Sequence, residues 1–315
     1  MQVLRGFSDP GGRPCVLTIG NFDGLHLGHQ ALLGLLAEEA EARGLPASLL
    51  TFEPHPREYF APDDAPARLT SLREKRPLLT ACGVDRVHVQ RFDAHFARLG
   101  AQEFIDAILV RGLKARHLLV GDDFRFGDGR VGDFALLQAA GRQHGFTVEA
   151  MPTLAVAGER ASSSAVRKTL AEGDLAHAAR LLGRPYGMTG RVAHGDRLGR
   201  RLGFPTLNLP FRHRRPALSG VFAVTVEDLA ATPIPGVANV GWRPTVGGTP
   251  RPRLEVHLLD WQGDCYSARV RVNFFHKLRG ESRFPSLDAL KAQIALDAAA
   301  ARDWFSRHDA DTSRG

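Results

Sequence analysis

Short apolar runs alternate with helical stripes through the first half of the chain. "CVLTIG" (15–20), "ASLLTF" (47–52), "DRVHVQ" (85–90) and "RHLLVG" (116–121) are runs of strand length. Residues 29–43, 72–82, 101–111 and 132–144 carry apolar positions at helical spacing, and in the first Leu32, Leu35, Leu36 and Ala40 make one stripe. This alternation predicts a parallel sheet covered on both faces. Ligands of such sheets bind beyond the carboxyl ends of the strands, so the loops after the runs are where chemistry is expected. Two short helices, 164–172 and 175–182, close this half, and "GRPYGMTG" (183–190) reads as a boundary.

The second half changes period. "GVFAVTV" (220–226), "GVANVG" (236–241), "RLEVHLL" (253–259) and "ARVRVNF" (268–274) alternate as strands, with a turn at "DWQGD" (260–264). The pattern predicts an antiparallel sandwich or small barrel. A last helix, about 286–305, is predicted to turn Leu290, Ile294, Ala298 and Ala301 inward, with Ser286 as N-cap. The predicted domains are 1–183 and 184–315.

A chain of 315 residues suits two domains. No apolar stretch reaches the length of a membrane span, and the N-terminal segment lacks the apolar run of a signal peptide. Cys15, Cys82 and Cys265 are odd in number and far apart, which suggests neither a disulfide framework nor a zinc site. The cytoplasm is the expected compartment. The net charge of +7 is uneven: residues 1–183 hold 21 basic and 22 acidic side chains, residues 184–315 hold 20 and 12. A basic second half suits an anionic partner such as a polyphosphate. No nucleic-acid-binding motif accompanies it, and the sequence fixes no oligomeric state.

"IGNFDGLHLGHQALL" (19–33) joins the first run to the first helix. Backbone N–H groups at a helix start favour an anion. Gly20, Gly24 and Gly28 allow close backbone approach, and His26 and His29 can each donate to a phosphate oxygen. Neither GxxxxGK[ST] nor GxGxxG is present here. Capping or surface histidines are the bland alternative. "TFEPHP" (51–56) places His55 after the second run, and "VGDDFRFG" (120–127) follows a later one. "SSSAVRKTL" (162–170) offers hydroxyls and Arg167 at a helix start, where Ser162 also suits simple N-capping.

In order and spacing, G-x-F-D-G-x-H-x-G-H, T-F-E-P-H-P, V-G-x-D-F-x-F-G and S-S-x-x-V-R resemble the FMN adenylyltransferase module of bacterial bifunctional riboflavin kinase/FAD synthetases. Ser164 stands where the usual motif has Thr. The resemblance implies a Rossmann-like nucleotidyltransferase domain. It implies that His26, His29 and Arg167 neutralise charge developing on the transferred nucleotidyl group. It assigns Gly20, Phe22, Asp23, Gly24, Gly28, Ser162 and Ser163 to the nucleotide, and His55 and Asp123 to the flavin.

"GRVAHGDRLGRRLGFPTLNL" (190–209) sets Thr206 and Asn208 two residues apart on an extended segment, so both side chains share a face. Their oxygens suit Mg²⁺, although Thr-x-Asn alone reads equally as a turn. The stretch resembles the riboflavin kinase motif G-x-x-x-G-R-x-L-G-F-P-T-x-N, with Leu207 in place of the usual Ala. The resemblance implies an antiparallel barrel. It makes Thr206 and Asn208 the ligands of magnesium in Mg-ATP, and places Gly195, Arg200, Gly203, Pro205, Asn239 and Arg243 at the nucleotide. On "RLEVHLL", Leu254, Val256 and Leu258 share one face and Glu255 and His257 the other. The resemblance makes Glu255 the base for the ribityl hydroxyl, and Arg279 and Glu281 flavin contacts.

The implied function is two reactions on one chain: phosphorylation of riboflavin to FMN, then adenylylation of FMN by a second ATP to FAD and pyrophosphate. The rivals are an H-x-G-H enzyme with another acceptor, a flavin-responsive binding protein with an inactive barrel, and a nucleic-acid-binding protein.

Overall fold

The computed structural model describes residues 1–7, 12–151, 154–156, 158–194, 199, 202–211, 215–245 and 248–312, without the side chains of 243–251 and 309–312. It divides into two compact units, one of residues 1–66 and 71–161, the other of 67–70 and 162–315.

The first unit runs β1 (Gln2–Arg5), β2 (Cys15–Ile19), α1 (Leu27–Ala42), β3 (Ala47–Glu53), α2 (Pro56–Phe60), α3 (Leu72–Ala81), β4 (Arg86–Arg91), α4 (Ala94–Ala97) and α5 (Ala101–Phe104). A π-helix (Ile105–Gly112) continues α5. Then come β5 (Ala115–Gly121), a 3₁₀ turn (Asp128–Arg130), α6 (Phe134–His144), β6 (Thr147–Met151) and the hairpin β7 (Ala155–Val156) and β8 (Glu159–Arg160). The main sheet has order β1-β4-β3-β2-β5-β6 and every pairing is parallel. Alternation along β2 splits the core as predicted. Leu17 and Ile19 join Ile105, Ile108 and Leu137 on one face, and Val16 joins Leu33, Leu36 and Leu79 on the other. Leu35 departs from its predicted stripe and is exposed, while Leu33 is buried in its place.

From β2 the chain lays β3 and β4 to one side, then returns to lay β5 and β6 on the other. Strand order reverses between β2 and β5, which opens a crevice at their carboxyl ends. The loops 20–26 and 122–133 leave from there.

The second unit contains α7 (Ser163–Glu172), α8 (Leu175–Leu182), β9 (Tyr186–Arg191), β10 (Thr206–Pro210), β11 (Gly220–Glu227), β12 (Ile234–Thr245), β13 (Gly248–Leu258), β14 (Arg269–Arg279) and α9 (Leu287–Thr312). Its antiparallel sheet has order β10-β13-β12-β11-β14-β9. A bridge between Ala193 and Asn208 joins the two outer strands at one end, with Ala193 N donating to Asn208 O at 2.9 Å. The sheet thus curls toward a barrel.

Two features differ from the sequence-based expectation. The run 183–190 is largely strand β9. Its glycines are close-approach positions: a Cβ on Gly187 would lie 2.6 Å from Asn273 Oδ1, and one on Gly190 2.8 Å from Leu209 Cδ2. In addition, α7 and α8 group with the barrel instead of ending the first unit at 183. The buried stripe Leu175, Ala178, Leu181 and Leu182 of α8 explains this, because α8 packs on β9 and β14.

The barrel core centres on Phe222, fully buried with its ring edge-on to Phe274 at 5.5 Å between centroids. Phe222→Ala should cost about 3–5 kcal/mol. Urea unfolding of the C-terminal unit would register this as a lowered midpoint, and a loss below ~1 kcal/mol would contradict the packing described.

Candidate active sites

The loop after β2 is held under backbone strain. Phe22 and Leu25 have φ of +48° and +42°, and Gly24 +85°. For non-glycine residues such conformations persist only where surrounding structure enforces them. Both side chains are buried. The Phe22 ring lies where a Cβ on Gly20 would come within 2.9 Å of it. The loop ends at His26, the N-cap of α1, whose Nδ1 accepts from His29 N at 3.3 Å. That bond leaves the proton of a neutral His26 on Nε2. The two imidazoles stack at 3.6 Å between centroids, and a Cβ on Gly28 would meet His26 Nδ1 at 3.2 Å and Ala161 O at 3.1 Å. The glycine of H-x-G-H is thus the space the first histidine occupies. His29 Nδ1 is buried with no hydrogen-bond partner. Burial, then the charges of His26 and Lys75, hold His29 well below its usual pKa, so it is neutral at pH 7. Asp23 is buried in the same loop.

Other expected residues are engaged locally. His55 caps α2: its Nδ1 accepts from Arg57 N at 3.1 Å, and its own N–H donates to Glu58 Oε2 at 3.1 Å. Asp123, two residues past β5, is ion-paired to Arg160 of β8 at 2.8 Å, a partner that belongs to none of the motifs. In the second unit, Ser162 caps α7, its Oγ accepting from Ala165 N at 3.1 Å. Ser163 opens that helix, and Arg167 Nε donates to Ala67 O at 2.6 Å.

A further feature escaped the sequence reading. At the carboxyl edge of β3 and β4, Tyr59, Phe60, Phe92, Phe52 and Phe96 form a chain of ring contacts with centroids 5.3–5.9 Å apart. It continues through Phe104 to Phe126 and Phe124 of the loop after β5. Phe60 is 66% exposed, which marks an open end to the ladder. Its members are scattered over 75 residues with no common motif.

In the barrel, register assembles the site. Asn208 of β10 stands opposite Glu255 of β13, Glu255 opposite Asn239 of β12, Asn239 opposite Val221 of β11, and Val221 opposite Arg279 of β14. Burial alternates along β13: Leu254, Val256 and Leu258 are buried, Glu255 and His257 only half so. Leu207 is buried between Thr206 and Asn208, which share the other face. A cavity of about 660 Å³ opens over this row. Its walls include Thr206, Asn239, Glu255, Arg279, Glu281 and Asp297. A smaller one, about 270 Å³, is lined by Thr206, Asn208, Trp261, Cys265 and Tyr266, so Thr206 belongs to both walls. His257 Nδ1 lies 2.9 Å from Pro205 O.

Asp297 of α9 was not foreseen. It is 5% exposed and takes the Arg279 guanidinium through Nε at 2.9 Å and Nη2 at 2.8 Å, with Gln293 Nε2 donating to it at 2.9 Å. Leu290 and Ile294 line the large cavity, while Ala298 and Ala301 are buried as predicted. Gly199 accepts at its carbonyl from Phe204 N at 2.8 Å, and Gly203 has φ +88°. Gly195 and Arg200, and the side chain of Arg243, lie outside the described residues. Among the described residues, no helix is long and apolar enough to cross a membrane, and no group of three His, Cys, Asp or Glu could hold a metal.

A family model described as FAD synthetase matches residues 9–165, and one described as riboflavin kinase matches 182–305. The bifunctional riboflavin kinase/FMN adenylyltransferase of Escherichia coli (strain K12) is 53% identical, over 97% of this chain and 98% of its own. The chain belongs to the bifunctional riboflavin kinase/FMN adenylyltransferase family. The Pseudomonas fluorescens member is 52% identical over 96% of this chain and 97% of its own. A solved Streptococcus pneumoniae structure, described as a macrolide-efflux protein, shares the fold with a TM-score of 0.81 at 28% identity, covering 96% of this chain and 99% of that one.

As a bifunctional riboflavin kinase/FMN adenylyltransferase, the chain phosphorylates riboflavin to FMN and adenylylates FMN to FAD. The FAD synthetase match contains the H-x-G-H loop and the aromatic ladder, and the riboflavin kinase match contains the Glu255 row.

Two outcomes follow from this geometry. Unfolded His29 takes a proton near pH 6.5, and the folded site resists it. The associated stability is therefore full above 6.5 and is lost as pH falls below it, by about 1.4 kcal/mol per pH unit down to the folded pKa. His29→Asn should weaken the acid-side loss, as read from urea unfolding at pH 7.5 and 5.5; an unchanged loss would refute a neutral buried His29. In the barrel, a Cβ on Gly241 would overlap the Glu281 carboxylate. Gly241→Ala should therefore displace Glu281 from the cavity wall and lower FMN formation, with FMN-to-FAD conversion as the unaffected control.

Proposed function

We propose that the two reactions use two separate residue sets. The FAD-forming set includes His26 and His29 of the first unit. The FMN-forming set is Glu255 with Thr206, Asn208 and Asn239. The observation that carries the kinase assignment is the row Asn208–Glu255–Asn239, which sets a carboxylate between two amides, with Glu255 and Asn239 on the wall of the larger cavity and Asn208 on that of the smaller.

Riboflavin fills the larger cavity with its ribityl end over Glu255, and ATP fills the smaller with its base against Trp261 and Tyr266. The shared wall at Thr206 is then where donor and acceptor meet. Glu255 accepts the proton of the ribityl 5′-hydroxyl as its oxygen attacks the γ-phosphorus and ADP leaves. Alignment and charge neutralisation carry most of such catalysis. Asn208 Nδ2 is 3.4 Å from Thr206 O, which turns the amide nitrogen toward the strand and leaves Oδ1 as the ligand atom. With the Thr206 hydroxyl, it makes a neutral, hard donor pair that suits Mg²⁺ held together with ATP phosphates. Bound there, the ion supplies charge neutralisation for the phosphates. The basic second half serves the same anions rather than nucleic acid.

In the first unit the FMN phosphate attacks the α-phosphorus of a second ATP, and pyrophosphate departs. His26 and His29 donate N–H bonds to the oxygens where charge grows. The aromatic ladder from Phe60 to Phe126 offers a planar flavin ring a stacking surface, with His55 and Asp123 at its rim. The cytoplasm, which holds the ATP that both reactions consume, is the compartment this reading expects.

Glu255→Ala should cut FMN formation about 10²–10³-fold and leave FMN-to-FAD conversion intact; His29→Ala should do the reverse. Chromatography of flavins after incubation with riboflavin or FMN, ATP and Mg²⁺ reads both. Parallel loss of the two activities in either folded variant would falsify separate sites.

A further inference from the structure

Lys75 belongs to no motif that the sequence analysis singled out, yet it enters the H-x-G-H loop. It lies on α3 and is 7% exposed, a rare situation for lysine. α3 buries only Lys75 and Leu79, one turn apart on the same face. An apolar side chain in that place would fill the space without burying an ammonium. Lys75 Nζ donates to Asn21 O at 2.6 Å. That carbonyl immediately precedes Phe22, the first of the residues held at positive φ. Asn21 Oδ1 and His29 Nδ1, both in this loop segment, are buried without hydrogen-bond partners.

We propose that Lys75 is a positioning residue for adenylyl transfer, a buried cation on α3 that holds the Asn21–Leu25 turn by its carbonyl and sets the electrostatic surroundings of His29. The proposal rests on the reading of His26 and His29 as the groups that stabilise the transferred nucleotidyl. The groups facing His29 are the stacked His26 ring, the Phe22 ring at 4.8 Å, the Lys75 ammonium and, in the same loop, Asp23. The Lys75 charge opposes a further positive charge on His29, after burial and the His26 charge. Lys75 thus adds to the burial and the His26 charge that hold His29 neutral, as a single N–H donor.

The test uses the full chain, with FAD formation from FMN and ATP measured between pH 5.5 and 9 and FMN formation from riboflavin as the control for folding. Lys75→Met should lower kcat for FAD formation about 10²-fold. It should also move the acid limb of its pH profile upward, since removing the cation eases protonation of His29. FMN formation should be unchanged. Lys75→Arg keeps the charge and should retain the wild-type limb; it also serves if the Met variant does not fold. A fall in rate with an unmoved acid limb would mean that Lys75 only shapes the loop and would overturn the proposal. So would a limb displaced by Lys75→Arg, or wild-type behaviour of Lys75→Met while His29→Ala is impaired. Full FAD formation by His29→Ala would instead remove the histidine reading itself, and the Lys75 proposal with it.

Discussion

Burying one side of a strand fixes what the other side can do, and both halves of this enzyme depend on that constraint. In β13 the core takes Leu254, Val256 and Leu258. A slip of one residue would put Glu255 and His257 into the barrel interior and expose three apolar side chains. The burial of plain aliphatic residues thus holds the carboxylate between Asn208 and Asn239. In β2 the same alternation divides Leu17 and Ile19 from Val16. With both faces committed, the chain leaves the sheet at Gly20 in a fixed direction.

The two catalytic units reach precision by different means. The barrel uses ladder hydrogen bonds, which set neighbouring side chains without local strain. The first unit uses a strained turn, with Phe22 and Leu25 at positive φ and their side chains anchored in the core. Such residues cost about 1–3 kcal/mol each, and the surrounding packing must supply it. What the strain achieves is visible in the histidines: His26 ends the turn, stacks on His29 and occupies the space Gly28 leaves open.

Each unit also has a buried charge on a helix outside the sheet. Asp297 of α9 grips Arg279 with two hydrogen bonds, and Lys75 of α3 grips a loop carbonyl. Buried charges are weak contributors to stability when an apolar replacement fits. Their role here is to fix a neighbouring wall: the large cavity of the barrel in one case, the H-x-G-H loop in the other.

The sequence by itself determined the division into a parallel α/β unit and an antiparallel one, because period-two and helical patterns are local. It also determined the residues of H-x-G-H and Thr-x-Asn, whose chemistry and spacing are contiguous in the chain. The tertiary structure alone decided which residues meet across strands. Asn239 and Arg279 join the Glu255 row only through pairing register, and Asp297 reaches Arg279 only because α9 packs on the barrel. Strand β9 hid behind glycines that look like a linker and are instead points of close contact. The aromatic ladder and Lys75 were illegible for the same reason: their neighbours come from distant loops, and distance along the chain carries no record of contact in space.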